Sequence, residues 1–186
     1  MKGFDKKVFV LIALAVITRF LPHPPNFTAI GAIALMGGAL LPKWWKYAMP
    51  LAILLLSDIL IQLLYGNGFY PDMLFVYGAF MLTALLGNKW LSNRLNFGRT
   101  MSGAVLASLL FFLLTNLGVW ATGIHYPMTG SGLIAAYAAA LPFYNQDVLG
   151  SFAFNTLFST TLYSGAIYLV YRYALVGKSL STKTQA

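Results

Sequence analysis

No cysteine occurs in the 186 residues, which excludes disulfides, thiolate metal ligands and a cysteine nucleophile. Acidic residues are almost as scarce: four, against twelve lysines and arginines, so paired-carboxylate catalysis is hard to build. Charged residues of both signs make up 9% of the chain, where ordinary soluble domains carry about 25%. Also missing are a nucleophile elbow, a Walker lysine in a glycine loop and a His-Glu-x-x-His pair. The two histidines, His23 and His125, lie far apart in sequence without carboxylates at ligand spacing, so neither a metal site nor a cofactor is expected. These absences together argue against an enzyme.

What is present is apolar. Hydrophobic residues make up 59% of the sequence, with a mean hydropathy of +0.74. Continuous apolar runs cover Val8 to Leu21, Tyr47 to Tyr65, Met73 to Leu86, Met101 to Ile124 and Val148 to Val170. They do not alternate with polar residues, so they predict helices and not a β-barrel. The expected fold is all-α: a single polytopic membrane bundle over residues 1–186, with six transmembrane helices at about 8–21, 29–41, 47–65, 73–90, 101–124 and 148–173. A short alanine-rich helix, Leu133 to Leu141, is below spanning length and belongs at the interface. Residues 174–186 form a polar tail for which disorder is expected. The glycine and alanine run between Ala29 and Ala39 lets neighbouring backbones come close, which places that helix among others and away from lipid. Lys2, Lys6 and Lys7 ahead of an apolar run look like the start of a signal peptide. That run ends in Thr18-Arg19-Phe20 and prolines, not in small residues at a cleavage site, so it is read as the first span.

The formal net charge of +8 would suggest nucleic acid in a soluble chain, but here the cations sit between apolar runs and act as an orientation signal. With six spans, Lys2, Lys6, Lys7, Lys43, Lys46, Lys89, Arg94, Arg99, Arg172, Lys178 and Lys183 fall on one side and Arg19 on the other. The positive-inside rule makes the first side cytoplasmic, with both termini there and the chain in the inner membrane. No nucleic-acid partner is expected. The outer connectors are then a strap around residues 22–28, the loop Gly66 to Asp72, and the stretch Thr122 to Asp147, all rich in Tyr, Phe, Asn and Pro.

The strap, Arg19-Phe20-Leu21-Pro22-His23-Pro24-Pro25-Asn26-Phe27-Thr28, cannot be helical, because its prolines lack amide donors and push their predecessors toward extended geometry. It suits a gate over a binding pocket. Arg19 and Asp58 are the charges nearest the membrane interior. Each costs about 2.5 to 3.5 kcal/mol at a span centre, so they either pair or face a ligand. Asn116 and Trp120, one turn apart, join an amide to an aromatic face. The candidate substrate-binding set is Arg19, His23, Asn26 and Phe27 from the strap and Asp58, Asn67 and Tyr70 around the second connector. Asn116, Trp120, His125, Tyr126, Phe143 and Asn145 complete it. Aromatic and amide groups fit a neutral or zwitterionic, ring-containing solute. A proton-coupled carrier relayed by Asp58 and an assembly protein with no ligand are the alternatives.

Arg19 through Gly38, the pair Ser57-Asp58, the segment Asn116 to Trp120, and Tyr126-Pro127-Met128-Thr129 with Pro142-Phe143 resemble an uncharacterised bacterial family of transport proteins with a His-Pro-Pro-Asn-Phe signature. That family in turn is similar to the substrate-binding S-components of energy-coupling-factor vitamin transporters. The likeness lies in size, helix count, the short glycine-rich second helix and the loop after helix one. It implies a six-helix fold, an extracytoplasmic pocket gated by that loop, uptake of a vitamin-like or cofactor-precursor solute, and a transmembrane scaffold with ATPases as partner beside the lipid bilayer. S-components often dock their scaffold through an Ala-x-x-x-Ala face on helix one. Here Ala13 and Ala15 lack that spacing, which occurs at Ala34/Gly38 and Ala135/Ala139. Relatives that handle cobalamin alone use a cysteine, so that chemistry does not carry over.

Overall fold

A computed structural model of the chain describes residues 16–17, 19–141 and 152–184, with side chains described as far as Tyr173. These residues form six helices and no strand: α1 (Ile30–Leu40), α2 (Trp45–Tyr65), α3 (Met73–Trp90), α4 (Phe97–Ala121), α5 (Gly130–Ala139) and α6 (Phe152–Thr184). Two of them, α2 and α4, are long and apolar enough to cross a bilayer. Of the expected first span, only Val16 and Ile17 are described as helical, and Val16 is packed in the core. The rest of that span lies outside the described residues, as do Phe143 and Asn145.

Capping chemistry sets the helix limits. The Asn96 side chain accepts the Arg99 amide, so α4 starts a turn before the expected Met101. It stops at Ala121, ahead of Gly123 in the left-handed region at φ 66°. Thr129 caps α5 by accepting from the Gly132 amide, which brings that helix forward from Leu133 to Gly130. Gly66 closes α2 in the left-handed conformation, and the Gln62 side-chain oxygen accepts the amides of Gly68 (2.9 Å) and Phe69 (3.3 Å). That holds the start of the following loop against the helix it leaves. The backbone of α6 is helical to Thr184, and no proline interrupts residues 174–184.

Helix α1 is the hub, in contact with α2, α3, α4 and α6. Its Ala32, Ala34, Leu35, Met36, Gly37 and Gly38 are all buried. Glycine is required where α1 crosses α3: a Cβ at Gly38 would overlap the Ala84 carbonyl, and one at Gly87 would overlap the Leu35 carbonyl. Polar groups share the core with apolar ones, and large apolar side chains face outward. Ser57, Asp58, Thr83, Thr100, Ser108, Thr156, Ser159, Thr160 and Ser164 are buried, while Leu55, Leu56, Ile59, Leu60, Leu63 and Leu64 of α2 and Leu106, Leu109 and Leu113 of α4 are exposed. Large apolar stripes facing outward on helices need an apolar solvent or a partner.

Helices α2, α3 and α4 run antiparallel in succession. Lys46 at the start of α2 donates to the Asn88 side chain near the end of α3 (2.8 Å), and Arg99 at the start of α4 lies over the Trp90 ring. Gly118 near the other end of α4 packs on Phe75 at the start of α3. Lys43, Lys46, Lys89, Arg94 and Arg99 therefore gather at one end of the bundle. Arg19 and the connectors after α2 and α4 lie at the other.

Gly87→Ala and Gly38→Ala should each lower stability by about 1–3 kcal/mol, because a backbone carbonyl cannot move aside for the new methyl. Gly78→Ala on the same α3, where a Cβ meets nothing within 4 Å, should be neutral or stabilising by up to about 1 kcal/mol. Thermal unfolding of the detergent-purified variants decides this, and equal effects at positions 78 and 87 would refute the close-crossing account.

Candidate functional site

The site is built outward from a buried carboxylate. Asp58 on α2 is 1% exposed, and both its oxygens are used: Oδ1 accepts from Arg19 Nη1 at 2.6 Å and Oδ2 from the Tyr77 hydroxyl of α3 at 2.8 Å. The same Arg19 nitrogen donates to Ser57, whose hydroxyl donates in turn to the Ile53 carbonyl at 2.6 Å. A carboxylate deprived of water survives when charge-assisted hydrogen bonds replace its hydration. Arg19 and Asp58 do pair, and the pairing fixes the first residue of the strap to α2. Arg19 keeps 18% side-chain exposure and forms part of a cavity wall, with Asp58 hidden behind it.

That cavity has a volume of about 570 Å³. It lies at the end opposite the gathered cations and draws on all three connectors: Arg19, His23 and Asn26 from the strap, Tyr70 from the loop after α2, and Tyr126 from the loop after α4. Asn116 of α4 joins them. Its Nδ2 donates to the Phe112 carbonyl at 2.8 Å, and its amide oxygen has no partner among the described residues. Phe80, Phe111, Leu54 and Val76 supply apolar wall.

The strap holds its shape through few bonds, as its three prolines require. Phe27 N donates to the Pro24 carbonyl and Thr28 N to the Asn26 carbonyl, both at 3.0 Å. The His23 ring sits between the carbonyl oxygens of Pro24 (2.8 Å) and Arg19 (3.3 Å). Asn26 adopts φ 59°, a left-handed conformation that asparagine tolerates better than most residues. Burial pushes the Tyr70 hydroxyl up to about 12, with the Asp58 charge adding to the shift and Arg19 opposing it. Tyr70 therefore presents a neutral phenol to the cavity at any physiological pH.

Other sequence candidates lie off the wall. Phe27 packs on Phe158 and Tyr163 of α6, with ring centroids 5.9 and 6.0 Å apart, and so clamps the strap. Trp120 donates its indole N–H to the Thr129 carbonyl at 3.1 Å, pinning the loop before α5. Asn67 and His125 are exposed and do not contribute to the wall. Asp58 acts only through Arg19, and Phe143 and Asn145 lie outside the described residues.

Sequence reasoning missed Tyr77 as the second donor to Asp58. It also missed Asp72 and the hydroxyls of Thr28, Thr115, Thr156, Ser159 and Thr160, all on the wall. A readable signal existed for the α6 group: Asn155, Thr156, Ser159, Thr160 and Ser164 recur every three to five residues on an apolar helix, which marks an inward polar stripe. Among the described residues, no three His, Asp or Glu side chains come together to hold a metal ion.

A family model described as a family of unknown function (DUF6580) matches residues 6–181, and the chain belongs to that family. No curated protein and no solved structure matches it.

Removing one member of the buried pair strands the other. Arg19→Met and Asp58→Leu should each cost about 3–5 kcal/mol, while the double variant should cost clearly less than their sum. Tyr77→Phe should cost about 1.5–3 kcal/mol, the worth of a hydrogen bond to a charged group. Unfolding in detergent measures the cycle, and additive single effects would rule out the coupling.

Proposed function

We propose that this member of a family of unknown function is a six-span inner-membrane protein that binds a small solute from outside the cell, in the manner of an S-component serving uptake. The observation that carries the reading is the cavity. Its volume of about 570 Å³ falls within the roughly 300–1,000 Å³ usual for small-molecule sites. All three connectors reach it at the end away from Lys43, Lys46, Lys89, Arg94 and Arg99. By the positive-inside rule that end is extracytoplasmic.

The outward leucine faces of α2 and α4 fit lipid. In this reading α1 is the inner half of a broken span: its 11 residues rise only about 16 Å, and the strap completes the crossing. Nonhelical backbone at membrane depth is tolerated where it lines a watery cavity or is covered by protein, and the strap does the first through Arg19, His23 and Asn26 and the second through Phe27. Helix α5 is too short to span and, with Ala140 just after it, forms part of the cavity wall through Ala136 and Ala139. The mixture of aromatic rings, amide and hydroxyls suits a vitamin-sized, ring-containing solute. The resemblance to S-components adds a scaffold with ATPases as the source of energy.

Two measurements test this. Native mass spectrometry of the detergent-purified protein should find a co-purifying small molecule, lost or reduced at least tenfold in Asn116→Ala combined with Tyr126→Ala. Because the chain has no cysteine, single cysteines at Asn67, His125 and Lys43 give a clean topology assay. The first two should react with an impermeant thiol reagent on whole cells and the third should not. Labelling of 67 and 125 from opposite faces would end the proposal.

A further inference from the structure

The solute-binding reading leaves open what part of the solute the cavity recognises. Two independent features, the uncapped start of α1 and an unpaired hydroxyl on α6, point to one chemical group. The first intrahelical bond of α1 runs from the Ile33 amide to the Ala29 carbonyl. The N–H groups of Ile30, Gly31 and Ala32 thus precede the ladder, and no side chain caps them. Ile30 and Gly31 form part of the cavity wall, which puts the positive end of the helix dipole at the cavity.

Thr160 of α6 is the second feature. It is 2% exposed and forms part of the same wall. The buried hydroxyls of Thr83, Thr100, Ser108 and Thr156 donate back to their own helix; that of Ser164 has no partner among the described residues but lies off the cavity wall. The Thr160 hydroxyl makes no such bond and has no partner among the described residues. It lies over the first turn of α1, where a Cβ on Gly31 would come 2.6 Å from its Oγ1. Glycine at 31 lets the Thr160 hydroxyl come this close to the α1 backbone. What little exposure Thr160 keeps is toward the cavity, and its hydroxyl stands beside N–H groups that also lack side-chain acceptors.

We propose that the first turn of α1 and Thr160 form a subsite for a carboxylate of the bound solute, with the amides of Ile30 and Gly31 and the Thr160 hydroxyl as donors. Charge on the wall decides between a carboxylate and a phosphate. Arg19 is balanced by Asp58, which leaves Asp72 as the uncompensated charge facing the cavity. A dianion would meet a net negative surface against only about half a positive charge from the helix end. A monoanionic carboxylate is accommodated, and a cationic or neutral ring on the same molecule can lie toward Asp72 and Tyr70. The recognised class is therefore an amino-acid-like or ring-bearing zwitterion.

This rests on the solute-binding reading, and the test separates the two. Full-length protein in detergent is titrated with sodium acetate against sodium chloride at constant ionic strength, following the thermal unfolding midpoint. Acetate should raise the midpoint saturably. Its apparent affinity should fall about tenfold in Thr160→Val, the worth of one hydrogen bond to a charged group, and return in Thr160→Ser. Gly31→Ala should abolish the effect. No acetate-specific rise, or a rise unchanged in Thr160→Val, overturns the subsite, and a larger rise with inorganic phosphate overturns the carboxylate assignment. A co-purified solute whose occupancy is the same in wild type and Thr160→Val also overturns it while leaving solute binding intact.

Discussion

A charge held away from water must be matched, and the Arg19–Asp58 pair is where this chain meets that requirement. Asp58 sits on a helix whose other face is leucine, and Arg19 sits on a segment that cannot be helical. Each would be costly alone. Together, with Tyr77 and Ser57 as further partners, they tie the strap to α2 and α3 and set the floor from which the cavity rises. The strap's path follows from that tie, because prolines leave it almost no backbone bonds with which to hold itself.

The second constraint is steric. Helix α1 touches four other helices, and such a hub can exist only if its side chains are small. Gly38 and Gly87 bring the α1 and α3 backbones into contact at the cation-rich end. At the cavity end Gly31 lets Thr160 pack against α1. The same composition thus serves close approach at both ends, beside a helix start that no side chain caps.

Much of this was legible beforehand because the responsible forces are local. Prolines 22, 24 and 25 announce a nonhelical strap. The small-residue run announces a buried helix, and the distribution of lysines separates the two ends of the bundle. Helix starts shifted by a few residues because single caps, Asn96 and Thr129, act on a scale finer than hydropathy. The cavity wall was legible where a polar residue stood out against an apolar background, as Arg19 and Asn116 do. Aromatic residues are harder to place because they have two uses: Phe27 and Trp120 carry as much binding character in sequence as Tyr70 and Tyr126, yet they pack off that wall against α6 and a loop. Tyr77 was invisible because nothing in its own neighbourhood shows that a carboxylate lies 19 positions away in sequence.

The unequal strength of the strap's attachments bears on how a solute would enter. At Arg19 the strap is held by charge-assisted hydrogen bonds to a buried partner. At its far end it is held by ring contacts from Phe27 and by a 3.4 Å hydrogen bond from Ser159 to the Asn26 carbonyl, near the limit of useful geometry. Between the two lies a proline segment with few backbone bonds of its own. In the proposed uptake role, opening therefore pivots at Arg19 and releases at Asn26–Thr28. That movement uncovers Thr160 and the start of α1 while leaving the ion pair intact. The Arg19–Asp58 bond is then a hinge and not a latch, which is consistent with its carboxylate lying wholly behind the guanidinium, out of reach of any solute in the cavity.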